Sequence, residues 1–299
     1  MKKILSGIFT ATIIAAITFT SCSSPASGSN SSNNSSNDNQ FSFDDFEPAA
    51  LPQFQGVNPL AGKTFTYTSC NLFFTNDKIT CSYNSQNPTD FDYSIDSTNN
   101  LLYVRYSKSY VLSNFKPQYE NLYAQCVTTD QKEYCNEIGI NFWIKNYYSK
   151  FSCYKYILEG NNLTFTEAYS NQPDELKLFH KNLSGIHISL AENYIQIETS
   201  DPPYQHNQYW SKLSNLDGSF YNTNYFILGN SPDEVSKKQG TFAGTISITT
   251  AQDPTQSICT ITFTQLPSEI PDSNSLLNTP LTLTPSSSKF VPGTYTLQQ

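Results

Sequence analysis

Apolar and polar residues alternate in short runs from about Val57 onward, and Asn, Ser and Gly separate the runs. Phe65 and Tyr67 share one face of an early run, and Ile261 and Phe263 share a face of a late one. A period of two residues is typical of antiparallel strands with one buried and one solvated face. The pattern predicts a mainly β fold, with an antiparallel meander or barrel-like domain followed by a second, smaller β-sandwich-like region.

Within the first β region, the alternation gives way to a different spacing. Pro117 is expected in the first turn of a helix over 118–127, where its missing N–H costs little. Asp130 and Glu133 resemble a capping box that begins a second helix over 130–150. Apolar residues recur in that segment at four-residue spacing. We therefore expect a helical insert in the β meander.

Composition and short motifs divide the chain into four parts. The segments Leu60–Phe65 and Leu216–Tyr221 resemble each other, which places the start of a second β domain near residue 213. Whether the two β regions fold as one domain or two stays open. The expected parts are a signal peptide (1–21), a flexible Ser- and Asn-rich tether (22–56), a first β domain (57–200) with its helical insert (116–151), and a second β domain (213–299).

The N-terminus has the features of an export signal. Lys2 and Lys3 precede an uncharged, mostly apolar run over Ile4–Phe19. This run is too short to cross a bilayer comfortably and fits the apolar core of a signal peptide. Ser21 and Cys22 follow it. One interpretation is an ordinary secretory signal in which the cysteine is incidental.

The arrangement also resembles the signal peptide of bacterial lipoproteins, in which the cysteine is acylated and the chain is cut directly before it. The resemblance implies that Cys22 carries the lipid, such as palmitate, and that Ser21 is the last residue removed. Phe19 stands where the usual pattern has Leu, a departure familiar in spirochaetes. The implied location is the cell envelope, with a lipid anchor in the outer membrane or at the cell surface.

The first β region, over 57–200, resembles the lipocalin-like β-meander domains of spirochaetal lipoproteins. The resemblance rests on the order of the strands and on openings of the LxGxxF type, as at Leu60–Phe65. It implies a barrel of the kind that holds a small apolar ligand.

Charge and composition exclude one class of partner. The net charge is −8, from 17 basic and 25 acidic residues, and Arg105 is the only arginine. A protein that binds nucleic acid needs basic patches, so this chain is not expected to bind nucleic acid. Loss of residues 1–21 would remove two lysines and bring the net charge to −10. Attachment to an anionic membrane would then depend on the lipid alone.

Six cysteines remain if Cys22 is acylated, an even number that fits three disulfides in an exported chain. Short loops favour two of the pairs, and elimination leaves the third. In the first pair the two residues have opposite strand parity, so a β-bulge would be needed. Buried free thiols are the alternative. The expected pairs are Cys70–Cys81, Cys126–Cys135 and Cys153–Cys259.

One aromatic patch is a candidate binding surface. Tyr204, His206, Tyr209 and Trp210 lie amid Asn and Gln in a stretch between the two β regions. Exposed aromatic side chains can stack on sugar rings or anchor a protein partner. The alternative is a linker in which Tyr209 and Trp210 pack into a core.

The sequence contains no recognisable catalytic or cofactor motif. Gly62-Lys63-Thr64 lacks the correctly spaced upstream glycine of a phosphate-binding loop and precedes a strand instead of a helix. The chain has three histidines, of which His187 is expected on the polar face of a strand. No metal site, cofactor or catalytic residue is therefore predicted.

These observations favour a lipid-anchored envelope protein that works as a binding module for a protein, a glycan or a small apolar ligand. Two alternatives stay open. A calycin-type carrier would need a connected apolar cavity of ~300 Å³ or more within 57–200. An envelope hydrolase would need a histidine within hydrogen-bond reach of a serine or a carboxylate in a cleft.

Overall fold

The computed structural model describes residues 40–83, 87–170, 172–200, 206–229, 234–249, 257–285 and 289–298. From Ser42 onward, the chain forms one compact unit. The predicted signal peptide, Cys22 and the expected tether up to residue 39 lie outside the described residues.

Two closed antiparallel barrels of eight strands each contain all the strands of the described residues, and they confirm the predicted mainly β class. The region expected to be sandwich-like is therefore a barrel. The first barrel consists of β1 (Thr64–Tyr67), β2 (Cys70–Phe74), β3 (Lys78–Tyr83), β4 (Thr89–Asp96), β5 (Leu101–Tyr106), β6 (Ser152–Glu159), β7 (Asn162–Ala168) and β16 (Gly293–Leu297). The second consists of β8 (Leu178–Leu183), β9 (Ile186–Ala191), β10 (Tyr194–Thr199), β11 (Asn207–Lys212), β12 (Gly218–Leu228), β13 (Ser236–Thr249), β14 (Ile258–Gln265) and β15 (Leu281–Pro285).

The second barrel is inserted into the first. The chain forms β1 to β7, builds the whole second barrel from β8 to β15, and returns to the first barrel with β16. On one side β16 pairs with β1, where Leu297 lies opposite Phe65, and on the other with β7, where Tyr295 lies opposite Leu163. Because an unpaired strand exposes a row of backbone N–H and C=O groups, β16 removes two open edges at once.

The strands divide differently from the expected domains 57–200 and 213–299. β8, β9 and β10 belong to the second barrel, and β16 belongs to the first. The opening Leu216–Tyr221 leads into β12, in the middle of the second barrel, and does not begin a domain. The division of the strands into two barrels depends on pairing between strands that are far apart in the chain.

Aromatic rings fill the interior of the first barrel. Phe290 stacks on Tyr154 with 4.4 Å between the ring centroids, and it also contacts Phe165 at 5.2 Å and Phe91 at 6.1 Å. All four side chains are buried. Since rings at such separations are in direct contact, this interior is a packed core.

The second barrel has a mainly aliphatic interior. Every second residue of its strands points inward, as the alternation in the sequence predicts. The core includes Ile188 and Leu190 of β9, Ile195 and Ile197 of β10, Phe242 and Ile246 of β13, and Cys259, Ile261 and Phe263 of β14.

Helices complete the described part of the chain, and none of them is both long and apolar enough to span a membrane. They are a 3₁₀-helix (Phe43–Asp45), α1 (Lys108–Gln125), α2 (Thr129–Tyr134), a π-helix (Cys135–Tyr148) and α3 (Ser273–Leu276).

The helical insert begins earlier than predicted. The Ser107 hydroxyl accepts a hydrogen bond from the backbone N–H of Tyr110 at 3.1 Å and so caps α1. Pro117 therefore lies inside α1 and not in its first turn, although a proline there removes one backbone hydrogen bond. The capping box of α2 is formed by Thr128 and Gln131, and not by the predicted acidic pair.

The π-helix lies between the barrels, in the segment predicted as the second helix. Tyr148 contacts Tyr106 of β5 at 5.0 Å between ring centroids, and Phe142 contacts Trp210 of β11 at 4.8 Å. The insert therefore covers part of the outer surface of the second barrel. π-Helices of more than one turn are rare. We attribute the stability of this one to its packing against both barrels.

Residues 42–56 are not part of a flexible tether, contrary to the expectation from composition. Phe43 and Phe46 are buried, and the Phe43 ring lies 5.7 Å from that of Tyr119 in α1. The N–H of Gln55 donates to the carbonyl oxygen of Ile95 at 2.8 Å. Burial of the two phenylalanine rings offsets the cost of ordering this segment.

Candidate functional site at the mouth of the second barrel

The predicted aromatic patch does not form an exposed surface in the described residues. Tyr209 belongs to the core of the second barrel, and Trp210 is 2% exposed beneath the π-helix. Consecutive strand residues point to opposite faces, and both faces of β11 are covered. His206 is partly exposed, and Tyr204 lies outside the described residues. The packing alternative therefore holds for Tyr209 and Trp210.

The three histidines come together on the outer surface of the second barrel. His206 Nε2 lies 3.5 Å from Glu198 Oε1, and His187 Nδ1 lies 3.8 Å from Glu198 Oε2. The rings of His180 and His187 are 5.9 Å apart. Burial, followed by the nearby His187, lowers the pKa of His180. In the described part of the chain, no group of three or more His, Cys, Asp or Glu side chains is arranged to hold a metal ion.

Two of the expected cysteine pairs are brought into contact as thiols. The two sulfur atoms lie 3.3 Å apart in the pair Cys70–Cys81 and 3.1 Å apart in the pair Cys126–Cys135. No β-bulge is needed for the first pair, because the chain turns between Tyr67 and Cys70. This turn restarts the alternation, so Cys70 and Cys81 both point inward. Whether they form disulfides stays a prediction.

The third expected pair is not brought together. Cys153 packs with Tyr103 and Phe151 of the first barrel, whereas Cys259 lies in the core of the second. Burial raises the pKa of both thiols, to about 12 for Cys259. The assignment by elimination is therefore wrong, because each cysteine is enclosed by the interior of its own barrel. The buried-thiol alternative describes both.

One end of the second barrel carries a pocket of about 220 Å³. The strands β9 and β13 end there, and β8 and β12 begin there, so loops from four strands meet around it. Its apolar floor consists of Leu190, Leu216 and Ile248. We call this site the mouth pocket. Its polar rim consists of Gln172, Glu175, Lys177 and Glu192, beside Pro173.

Glu175 is the most unusual residue of the mouth pocket, since it is a carboxylate with only 2% exposure. The backbone N–H of Ser170 donates to it at 2.8 Å, and the Ser170 hydroxyl donates to it at 2.6 Å. Burial raises the pKa of Glu175 to about 7, against the opposing effects of Ser170 and Lys177. A carboxyl group with such a pKa changes charge near neutral pH.

The other charged groups of the rim differ in their partners. Glu192 Oε1 lies 2.7 Å from Lys150 Nζ, an ion pair that largely neutralises it. Lys177 is near enough to Glu175 to lower the pKa of that carboxyl, and the described residues form no ion pair with it. The mouth pocket thus presents one carboxylate and one ammonium group above an aliphatic floor.

Sequence reasoning missed Glu175 and its surroundings. The residues Pro173 to Lys177 lie between two strands, with Leu176 and Leu178 both buried around them. A glutamate directly before two alternating leucines, Leu176 and Leu178, in a connecting segment was the available signal. This signal indicates a binding site only once the fold shows that the segment lies at the end of a closed barrel.

A second cavity is a groove of about 550 Å³ between β7 of the first barrel and β14 and β15 of the second. It includes the exposed Ile258 and two prolines, Pro285 and Pro292. Pockets that bind small molecules combine an apolar lining with a few convergent polar groups. The mouth pocket fits that description better, because oppositely charged side chains converge on it.

Comparisons with known proteins identified no relative. No family model matches the chain, and neither the curated proteins nor the solved structures include a match. The resemblance to spirochaetal lipoproteins therefore stays a prediction from the sequence.

Proposed function

We propose that this protein is an exported, lipid-anchored binding protein of the cell envelope, and that its second barrel binds a small ligand in the mouth pocket. The observation that carries the binding role is the buried Glu175 beside an aliphatic floor. Burial of a carboxylate is costly, and a ligand-binding role accounts for its presence at the open end of a barrel.

The architecture supports this proposal. A closed barrel leaves no strand edges for other chains, and its loops are the natural place for a variable binding site. The mouth pocket is small compared with the range of about 300–1,000 Å³ that drug-sized ligands occupy. Ile188 and Phe242 are fully buried in the same barrel core as the floor residue Leu190. A small metabolite therefore fits this site better than a long lipid chain.

The anchor part of the proposal rests on the sequence around Cys22. Globomycin treatment is expected to block processing of the precursor, and labelled palmitate is expected to be incorporated into the protein. A Cys22→Ala variant should lose the label, and Cys70→Ala is the matched control that should keep it. Retention of the label by Cys22→Ala would contradict the anchor.

The two alternatives receive less support. A carrier cavity within 57–200 is opposed by the aromatic rings that fill the first barrel. A hydrolase would need its histidine in a cleft. His187 and His206 do contact Glu198, but neither the mouth pocket nor the groove between the barrels includes a histidine in its lining.

The binding role can be tested with 3-methylbutan-1-ol, an apolar probe with a neutral head group. In NMR titrations of the full chain, we expect the methyl resonances of Leu190, Leu216 and Ile248 to shift. A Leu216→Trp variant fills the mouth pocket and should lose these shifts, whereas Tyr221→Trp, at a site 62% exposed, should keep them. Equal responses in the wild type and Leu216→Trp would contradict binding in the mouth pocket.

A further inference from the structure

The mouth pocket offers three kinds of contact within one small volume. Its floor is aliphatic, and its rim carries a carboxylate at Glu175 and an ammonium group at Lys177. A ligand that satisfies all three contacts needs an apolar group, a positive charge and a negative charge close together. Few classes of small molecule have this combination.

Glu175 is held in position for a ligand cation. Both hydrogen bonds from the Ser170 backbone and the one from its hydroxyl fix the carboxylate. These three hydrogen bonds come from two donor groups and leave acceptor capacity free, because an ionised carboxylate has about four acceptor positions. A cationic group in the mouth pocket would find a preorganised partner.

Lys177 supplies the opposite charge. It is partly buried at the start of β8, and the Glu175 carboxylate feels its charge without forming an ion pair with it. Glu192 does not compete for Lys177, since the Glu192 carboxylate already pairs with Lys150 at 2.7 Å. The Lys177 ammonium is therefore placed to receive a carboxylate from a ligand.

We propose that the mouth pocket binds an aliphatic α-amino acid, an inference that rests on the proposed function. Its ammonium group contacts Glu175, its carboxylate contacts Lys177, and its side chain lies on Leu190, Leu216 and Ile248. The volume of about 220 Å³ fits a molecule of this size. Each charge of the ligand meets an opposite charge on the rim, so no unpaired charge is buried on binding. Burial of an unpaired charge would oppose binding.

The test compares L-leucine with two analogues that each lack one charge, in calorimetric and NMR titrations of the full chain. The amine 3-methylbutylamine lacks the carboxylate, and 4-methylpentanoate lacks the ammonium group. We expect both analogues to bind about tenfold more weakly than leucine, or worse. Glu175→Gln should reduce leucine affinity by a similar factor, and Lys177→Met should do the same.

Two exposed residues of β6 provide matched controls. Glu159→Gln and Lys155→Met make the same chemical changes on the first barrel, at residues that do not line the mouth pocket, and both should leave leucine binding unchanged. If Glu175→Gln does not fold, Lys177→Met still tests the inference, because Lys177 is only partly buried.

The outcomes separate this inference from the proposed function. If either analogue binds as tightly as leucine, the amino-acid inference is overturned, while binding in the mouth pocket stands. A second outcome is that the floor resonances fail to shift with all four probes at millimolar concentration: leucine, its two analogues and 3-methylbutan-1-ol. In that case both the amino-acid inference and the proposed function are overturned.

Discussion

At the scale of single residues, Glu175 links the candidate site to the pH dependence of folding. Its pKa in the folded chain is raised by burial from an ordinary 4.5 to about 7. The groups that face it are Ser170 and Lys177, together with Tyr103 and Cys153 of the first barrel, whose pKa values it raises in turn. Folding is therefore coupled to protonation of this carboxyl.

The expected result is a loss of stability as pH rises. A carboxyl group with a raised folded pKa favours folding below its unfolded pKa, and that contribution is lost as pH rises through the folded value. Between about pH 4.5 and pH 7.5, the free energy of unfolding of the wild type should fall relative to Glu175→Gln by on the order of 3 kcal/mol. Urea titrations at several pH values measure this difference, and Glu159→Gln should track the wild type. Parallel curves for wild type and Glu175→Gln would contradict the assigned pKa.

The cysteines give a second prediction at this scale. Under mild oxidation, as in an exported chain, we expect disulfides at Cys70–Cys81 and Cys126–Cys135, because the sulfur atoms already touch. Cys153 and Cys259 should stay reduced and unreactive until the chain unfolds. Peptide mapping by mass spectrometry measures the linkages. A Cys153–Cys259 disulfide in folded protein would contradict the two separate interiors.

At the scale of elements, the sequence reveals each element more reliably than the place of that element in the fold. The two-residue period correctly predicts strands at Thr64–Tyr67 and Ile258–Gln265, since alternation depends only on which face is buried. The helix start predicted at Pro117 is wrong because Ser107, the residue that caps α1, lies ten positions upstream. The sequence makes Trp210 a candidate binding residue, because no local pattern shows that the π-helix covers its strand.

The contact between the π-helix and β11 predicts a structural role for Trp210. Trp210→Ala removes a buried ring that contacts Phe142 at 4.8 Å and Trp143 at 6.1 Å, which should lower the free energy of unfolding by about 3–5 kcal/mol. Tyr221→Ala, at an exposed position of β12, should change it by less than about 0.5 kcal/mol. Urea unfolding measures both variants. A stable Trp210→Ala protein that loses only ligand binding would instead favour a binding role for this aromatic patch.

At the scale of the whole molecule, one barrel interrupts the other. The sequence alone could not show this, because the partners of β16 lie more than a hundred residues away along the chain, at β1 and β7. The expected boundary near residue 213 followed a local resemblance instead. The mouth pocket was hidden for the same reason, because its lining comes from the ends of β9 and β13 and from the segments before β8 and β12.

The interrupted topology predicts the effect of truncation. A chain that ends at Pro285 lacks β16 and the buried Phe290, so β1 and β7 become open edges around a hollow centre. Hydrogen exchange should show lost protection at Phe65 and Leu163, while Ile188 and Ile197 of the second barrel keep theirs. Unchanged protection of β1 and β7 would contradict closure of the first barrel by β16.

The most direct test of the account is a crystal structure of the full chain soaked with L-leucine. We predict electron density for one leucine in the mouth pocket, with its ammonium group at Glu175, its carboxylate at Lys177 and its side chain on Leu190. An empty mouth pocket at saturating leucine, or density only in the groove beside Ile258, would contradict the central claim that the mouth pocket binds an aliphatic amino acid.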